Sequence, residues 1–365
     1  LREKIFEDFK NLFEEKSIES KKNFSFSTPN RLVLVFEGLD KQIKIKSKEI
    51  RGPKTSAPDQ ALEGFLRSNK INKKDLFKKK TEKDEFYFYK TAATLLKTHD
   101  LLTEFIPKIL NNYQWKKSMK WGEFDLNWGR PLKSILSIFD KKIINFQFHH
   151  LVSSNQTFLD KDFEDKKRSF ENFKNYEKFF ENNSVIINQN KRLKIINKSF
   201  SKILGKKGLK INENPKLLEE VINLVDSPNV LLCKFDKKFL SVPKEILTLT
   251  METHQKYFPT FNDKNEITNE FLIVTNKKDQ KGLIKIGNER VVEARLSDAE
   301  FFWNKDKTKN LVKKISELKS MSFFKGQGSY FDKVQRMRKL GGMVSDELLI
   351  SKEKVELSAS ICKTD

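Results

Sequence analysis

Apolar residues at Ile5, Phe9, Leu12 and Phe13 share one helical face and predict a helix within residues 1–22. After Pro29 the run RLVLVF (31–36) reads as a strand. KQIKIKSKEI (41–50) alternates as a second strand, paired with the first through a turn from Gly38 to Lys41 and ended by Arg51-Gly52-Pro53. Pro58 opens a helix over 58–69 with Ala61, Leu62, Phe65 and Leu66 inward. FYFYKT (86–91) alternates as a further strand, and 101–113 is helical in pattern despite Pro107. Residues 135–139 and 143–148 flank Asp140-Lys141-Lys142 as a hairpin. The charged segment 160–183 reads as helical, with Phe163, Phe170, Phe173, Tyr176 and Phe180 as its apolar positions.

From Pro215, LLEEVINLV predicts a helix with Leu218, Val221, Ile222 and Val225 on one side, followed by a strand at NVLLCKF (229–235). Pro243 suits the first turn of a helix to about Phe258, on which Leu247, Met251, His254 and Phe258 share a stripe. A histidine there is either a core residue satisfied by a neighbour or a contact to a partner. Residues 258–261 and 271–275, joined across 262–265, form a hairpin. Asn288 is expected to cap a helix over 289–303, burying Val292, Leu296, Ala299 and Trp303 and pairing Arg295 with Asp298 on the surface. Beyond Asp306 the pattern is all-helical, with turns at 325–328 and at Gly341-Gly342. The expected fold is α+β. An N-terminal region of mixed sheets and flanking helices covers 1–315, with a possible subdivision near 150–215, and a helical region starts over 316–365.

Composition adds limits. The chain has 365 residues, 37% hydrophobic with 32 Phe, 33% charged, and a mean hydropathy of −0.62, as expected of a soluble protein. No apolar run approaches 18 residues, so no membrane span is expected. The opening Leu1 is followed by no visible secretory leader, and both ends read as those of a fragment. Cys233 and Cys362 are expected as buried free thiols in a reducing cytoplasm. The net charge of +22 invites a nucleic-acid partner, because basic side chains that neutralise phosphates release counterions. A plainer cause competes: 61 of the 72 basic residues are Lys, the usage an AT-rich genome imposes.

The densest chemistry lies at METHQKYFPTFN (251–262) and GNERVVEARLSDAEFFW (287–303), where basic, aromatic and amide side chains alternate. No nucleophile–base arrangement or phosphate-cradling loop accompanies them. Gly326-Gln327-Gly328 lacks the preceding strand and third Gly of a dinucleotide loop. His99-Asp100 has the form of a phosphohydrolase metal pair without its further ligands. His149-His150 point to opposite faces if extended.

RGPKTSAPDQALEGFLRS (51–68), SMKWGEFDLNWGRPL (118–132), PKEILTLTMETHQKYFPTFN (243–262) and 287–303 occur in the order of one known family. Together they resemble the beta subunit of bacterial heterotetrameric glycyl-tRNA synthetase. The resemblance spans nearly the whole chain but about the N-terminal half of that subunit. ELSASICKTD (356–365) is similar to the stretch entering the family's HD-like helical region. QTFLDK (156–161) stands where the family carries a Gly-His-Arg-Phe-like motif, and no residue role is carried over there.

The resemblance implies an α+β region similar to the B3/B4 region of phenylalanyl-tRNA synthetase. It implies an alpha-subunit partner, in an α2β2 tetramer, that holds the class II site making glycyl-adenylate. ATP and Mg would be used by that complex, with no cofactor or metal on this chain and no catalytic residue of its own. The partner RNA is tRNA(Gly). The tRNA or subunit contact candidates are Lys120, Arg130, His254, Gln255, Lys256, Arg290 and Arg295, with Trp121 and Tyr257 stacking or, more simply, packing. Two readings of other classes stand beside this one: a standalone RNA-binding scaffold and an HD-type metal phosphohydrolase.

Overall fold

The computed structural model describes residues 1–45, 47–80, 84–91, 93–113, 115, 117–159 and 166–364. The class is α+β. One compact unit comprises 1–203, 214–230 and 274–278; the other comprises 204–213, 231–273 and 279–365.

In the first unit, α1 (Arg2–Glu15) buries Ile5, Phe9, Leu12 and Phe13, the four positions its spacing marks. β1 (Lys22–Thr28) and β2 (Arg31–Glu37) pair antiparallel from Lys22 opposite Glu37 to Thr28 opposite Arg31. The strand at 31–36 therefore does not pair with the next one, as its sequence suggested. KNFSFST alternates Phe24 and Phe26 with polar residues, and a two-residue turn at Pro29-Asn30 closes that hairpin with little loop entropy. The run at 41–50 splits into β3 (Gln42–Ile45) and β4 (Glu49–Lys54). β4 continues through Arg51-Gly52-Pro53 rather than ending there, because a register shift between Arg51 and Lys54 accommodates the proline that cannot donate.

After α2 (Asp59–Asn69) come β5 (Leu76–Lys80), β6 (Glu85–Lys90) and β7 (Thr94–Lys97). β4, β6 and β5 form a three-stranded sheet in that order, and β3 pairs with β7. α2 buries Leu62 but leaves Ala61 exposed. α3 (Thr98–Asn111) continues through Pro107 and packs Leu101, Leu102, Ile106 and Ile109 with the α1 residues, Trp128, Phe146 and Phe148 into the main core. β8 (Ile138–Phe139) and β9 (Lys142–Ile143) form the expected hairpin. Asp140 (φ 46°) and Lys141 (φ 64°) take the left-handed conformations of a type I′ turn. Two further short pairs follow, β10 (Gln147–Phe148) with β11 (Leu151–Val152) and β12 (Gln156–Thr157) with β13 (Arg168–Ser169).

Residues 160–165 of the charged segment lie outside the described residues; the helix beyond them is α4 (Phe173–Asn182), capped by the Asn172 side chain. Phe170, Tyr176, Phe180, Val185 and Ile187 make a second core. Against it lies the most deeply enclosed charge of the unit. Arg192, on α5 (Gln189–Lys207), has no solvent-exposed surface. Its guanidinium donates to four carbonyls: Ile186 (2.7 Å), Ile187 (2.9 Å), Ile222 (3.0 Å) and Ser27 (2.8 Å). One side chain thus ties the start of α5, the preceding loop, the first hairpin and the helix at 215–224 together. Burial pushes its pKa down to about 10.

Five further elements carry the chain through the second unit's sheet: β14 (Lys210–Ile211), α6 (Pro215–Leu224, in the first unit), β15 (Asn229–Lys234), α7 (Lys244–Leu249) and β16 (Phe258–Phe261). β17 (Ile267–Thr275) completes the sheet, whose order is β14-β16-β17-β15. Its core joins Cys233, Phe235, Phe239, Val242, Leu247, Met251, Phe271 and Ile273 to Val292 and Leu296 of α8 (Leu283–Lys307). α9 (Leu311–Lys314), α10 (Tyr330–Glu347) and α11 (Lys352–Ile361) follow. Gly341-Gly342 is not a turn but lies inside α10. A Cβ on Gly341 would stand 3.0 Å from Val355 Cγ1, and one on Gly342 3.1 Å from Glu356 Oε1, so the glycines let α11 approach closely. Cys233 is buried as expected, whereas Cys362 at the end of α11 is exposed. No helix among the described residues is long and apolar enough to cross a membrane.

Candidate partner and RNA contacts

In the first unit, Lys120 and Arg130 sit on the turn-rich segment 118–132. A two-bond bridge pins that segment: Met119 N–H donates to Trp128 O (2.9 Å) and Trp128 N–H to Met119 O (3.2 Å). Trp128 is buried edge-on to Trp115, and Gly129 is obligatory because a Cβ there would lie 2.5 Å from the Trp115 ring. Trp121 packs against the main core with its ring edge-on to His150, on which Phe124 stacks at 3.7 Å. Lys120 is exposed and pairs with Asp125 at 3.1 Å, a contact worth under about 1 kcal/mol in water. Arg130 is exposed.

In the second unit the helix that Pro243 opens does not run to Phe258. α7 widens at Thr250–Gln255 into a π-helical turn, closed by Tyr257 N–H donating to Met251 O at 3.0 Å. Lys256 (φ 60°) then turns the chain, and Phe258 opens β16. The wider turn breaks the 3.6-residue register on which the stripe depended. Leu247 and Met251 are fully buried, but His254 is exposed, so it is not a core histidine. Gln255 and Lys256 are half-buried. Tyr257 stacks on Phe271 at 5.4 Å, and its hydroxyl donates to Asn288 Oδ1. Desolvation raises the Tyr257 phenol above its ordinary pKa.

That bond corrects the expected cap. α8 begins at Leu283, six residues before the expected start, after Gly282 (φ 72°), and its first amides are met by Asp279. The carboxylate accepts from Ile284 N–H (3.2 Å) and Lys285 N–H (2.9 Å). Asn288 lies inside the helix, where it locks Tyr257 and donates to Ile284 O at 2.6 Å. Asp279 was legible only as one polar residue among several in 276–282. Glu289 is also structural, accepting Lys234 N–H at 2.8 Å.

Val292 and Leu296 are fully buried, as their spacing marks; Arg290 and Arg295 are both exposed. Five residues at 3.6 per turn place those two arginines about 140° apart around the axis, so one flat partner cannot meet both. Among the described residues neither has an ion-pair partner, and the expected Arg295–Asp298 pair does not form. The seven candidates thus divide between the two compact units.

Both ring nitrogens of His99 are occupied: Nδ1 lies 3.4 Å from Asp100 Oδ1 and Nε2 3.0 Å from Ile143 O. Among the described residues no group of three or more His, Cys, Asp or Glu side chains is placed to hold a metal ion.

A family model described as glycyl-tRNA synthetase beta subunit matches residues 1–365. The chain is 36% identical over 358 residues to a Rickettsia bellii protein named glycine–tRNA ligase beta subunit, covering 98% of this chain and 54% of that one. Proteins of the same name from Rickettsia felis and Rickettsia conorii are each 34% identical, over 360 and 358 residues and again 98% of this chain. The chain spans about half the length of the curated relatives it matches.

Proposed function

The chain belongs to the glycyl-tRNA synthetase beta-subunit family, and from that premise we propose that it grips and presents tRNA(Gly) while glycine is activated on a separate alpha subunit. The assembled ligase joins glycine, ATP and tRNA to give glycyl-tRNA, AMP and pyrophosphate. ATP and Mg act on the alpha subunit of a cytoplasmic α2β2 complex. The helices beyond residue 315 are the start of the HD-like region. The observation that carries this reading is the family match along the entire chain.

Three features support it. The +22 charge suits a polyanion. Arg130, His254, Arg290 and Arg295 stand exposed. Arg290 and Arg295 diverge on α8, which suits a subunit held between RNA and a second protein. Positioning of this kind contributes on the order of 7–11 kcal/mol to a two-substrate reaction when the geometry is right, without a bond-making side chain. The phosphohydrolase reading, which would be built on the HD-like region, gains no such support; at His99, outside that region, both ring nitrogens are taken up by neighbours.

The test is reconstitution. The full-length subunit is mixed with a glycyl alpha subunit, and glycine-dependent ATP–pyrophosphate exchange and tRNA charging are followed. Charging is expected only from the mixture. An alpha subunit that charges tRNA equally well alone would overturn the proposal, as would glycine activation by the beta subunit alone.

A further inference from the structure

The strands β4, β6 and β5 carry a surface that none of the candidate contacts includes. Register assigns its residues. Arg51 and Phe77 both lie opposite Phe88, Lys54 and Lys79 both lie opposite Phe86, and Glu49 lies opposite Lys90. Directly opposed residues share a face, so these side chains stand together on one side of the sheet. The other side is covered by α2, whose Phe65 lies so close to Gly52 that a Cβ there would meet its ring at 2.9 Å.

On the open face the Phe77 and Phe88 rings stack with centroids 6.0 Å apart, and Phe77 remains 37% exposed. The Arg51 guanidinium carbon lies 3.5 Å from the centre of the Phe86 ring, which is buried beneath it, and the Lys79 ammonium is 5.6 Å from Phe88. Lys54 pairs with Asp84 (2.6 Å) and Lys79 with Glu49 (2.9 Å); Lys90 has no ion-pair partner among the described residues. The surroundings are strongly basic: residues 67–80 carry seven basic side chains and one acidic one. AT-rich codon usage explains many lysines but not their gathering beside stacked aromatics on one open sheet face.

We propose that this face is a stacking platform for unpaired nucleotides of RNA. A base slides onto the exposed Phe77 ring, and Arg51, Lys90 and the lysines of the rim hold the flanking phosphates. Every base has a π-face, so such a platform binds without reading sequence. A protein-docking face is the less fitting alternative, because the cores of such interfaces are depleted of Lys. The inference rests on the tRNA-binding reading above and adds where, and how, an unpaired stretch is held.

The experiment uses the full-length subunit in complex with its alpha subunit. The probes are fluorescein-labelled tRNA(Gly) and a single-stranded RNA of about 12 nucleotides, within the span such surfaces cover. Phe77→Ala is expected to weaken the single-stranded probe about tenfold, and Phe77→Trp to retain its affinity. Arg51→Gln with Lys90→Gln should lower the slope of log K against log salt by about 1 for each cation removed.

Unchanged affinity of both probes for Phe77→Ala overturns the platform, as does an equal loss with Phe77→Trp. A loss of alpha-subunit assembly at unchanged RNA affinity also overturns it, and makes the face a protein interface. Charging by the wild-type complex is measured in parallel. Absent charging with a Phe77-dependent RNA affinity sinks the ligase reading alone, whereas normal charging with no Phe77 effect sinks the platform alone.

Discussion

Replacing Arg192 by Met keeps the apolar stem of the side chain and removes every donor. The guanidinium is fully enclosed and serves four carbonyls, at Ser27, Ile186, Ile187 and Ile222. Holding a charge there is costly: burial brings its pKa down to about 10, which corresponds to about 3 kcal/mol. Four charge-assisted bonds at about 1.5 kcal/mol each exceed that cost by roughly 3 kcal/mol. Arg192→Met is therefore expected to lose about 3 kcal/mol, a large share of the 5–15 kcal/mol typical of a domain. Arg192→Lys keeps a charge but concentrates its donors on one atom, and should lose about half as much. Urea unfolding followed by tryptophan fluorescence reads this directly, because Trp115, Trp121 and Trp128 lie in the same unit as Arg192 and only Trp303 lies in the other. At about 2 kcal/mol per molar urea the midpoint should fall by about 1.5 M. A fall below about 0.3 M for Arg192→Met would refute the bookkeeping and show that the four carbonyls find other partners.

Five further outcomes are expected. Asp279→Ala should cost about 1 kcal/mol and loosen the first turn of α8, seen as faster amide exchange at Ile284 and Lys285. Gly341→Leu should cost about 1–3 kcal/mol by forcing α11 off α10, whereas Leu at exposed Gly205, with nothing within 4 Å, should not; thermal unfolding compares the two. His254→Ala should leave stability within about 0.5 kcal/mol of wild type, and a larger loss would restore the core reading. Burial pushes the Cys233 thiol from 9.0 up to about 12, so the unfolded chain releases this proton first; the stability it contributes is complete below about pH 9 and is lost as pH rises toward 12. Cys233→Ala should flatten that part of the stability–pH curve. In the native 365-residue chain one thiol, Cys362, should react quickly with a thiol reagent, and the second only after unfolding.

Much of this protein was determined by its sequence alone. The α+β class, the buried stripe of α1, the hairpins at 138–143 and 258–275 and the buried pair Val292 and Leu296 all follow from local spacing. The family follows from ordered motifs along the chain. These features depend on neighbours a few residues apart, where periodicity and turn chemistry act. What only the tertiary structure decided has a different physical origin. Met251 and His254 share a stripe on any regular helix, and one wide π turn puts the first in the core and the second in solvent. Gly341-Gly342 reads as a turn until α11 is seen to need the space. Arg192 looks like one more surface cation of a basic helix, and it is buried because carbonyls from 27, 186, 187 and 222 converge on it. The open face of β4-β6-β5 exists only through cross-strand register, which brings Arg51 and Phe77 to Phe88 from distant stretches of chain. No local pattern records such convergence, because the energy that selects it belongs to contacts between segments rather than to any segment.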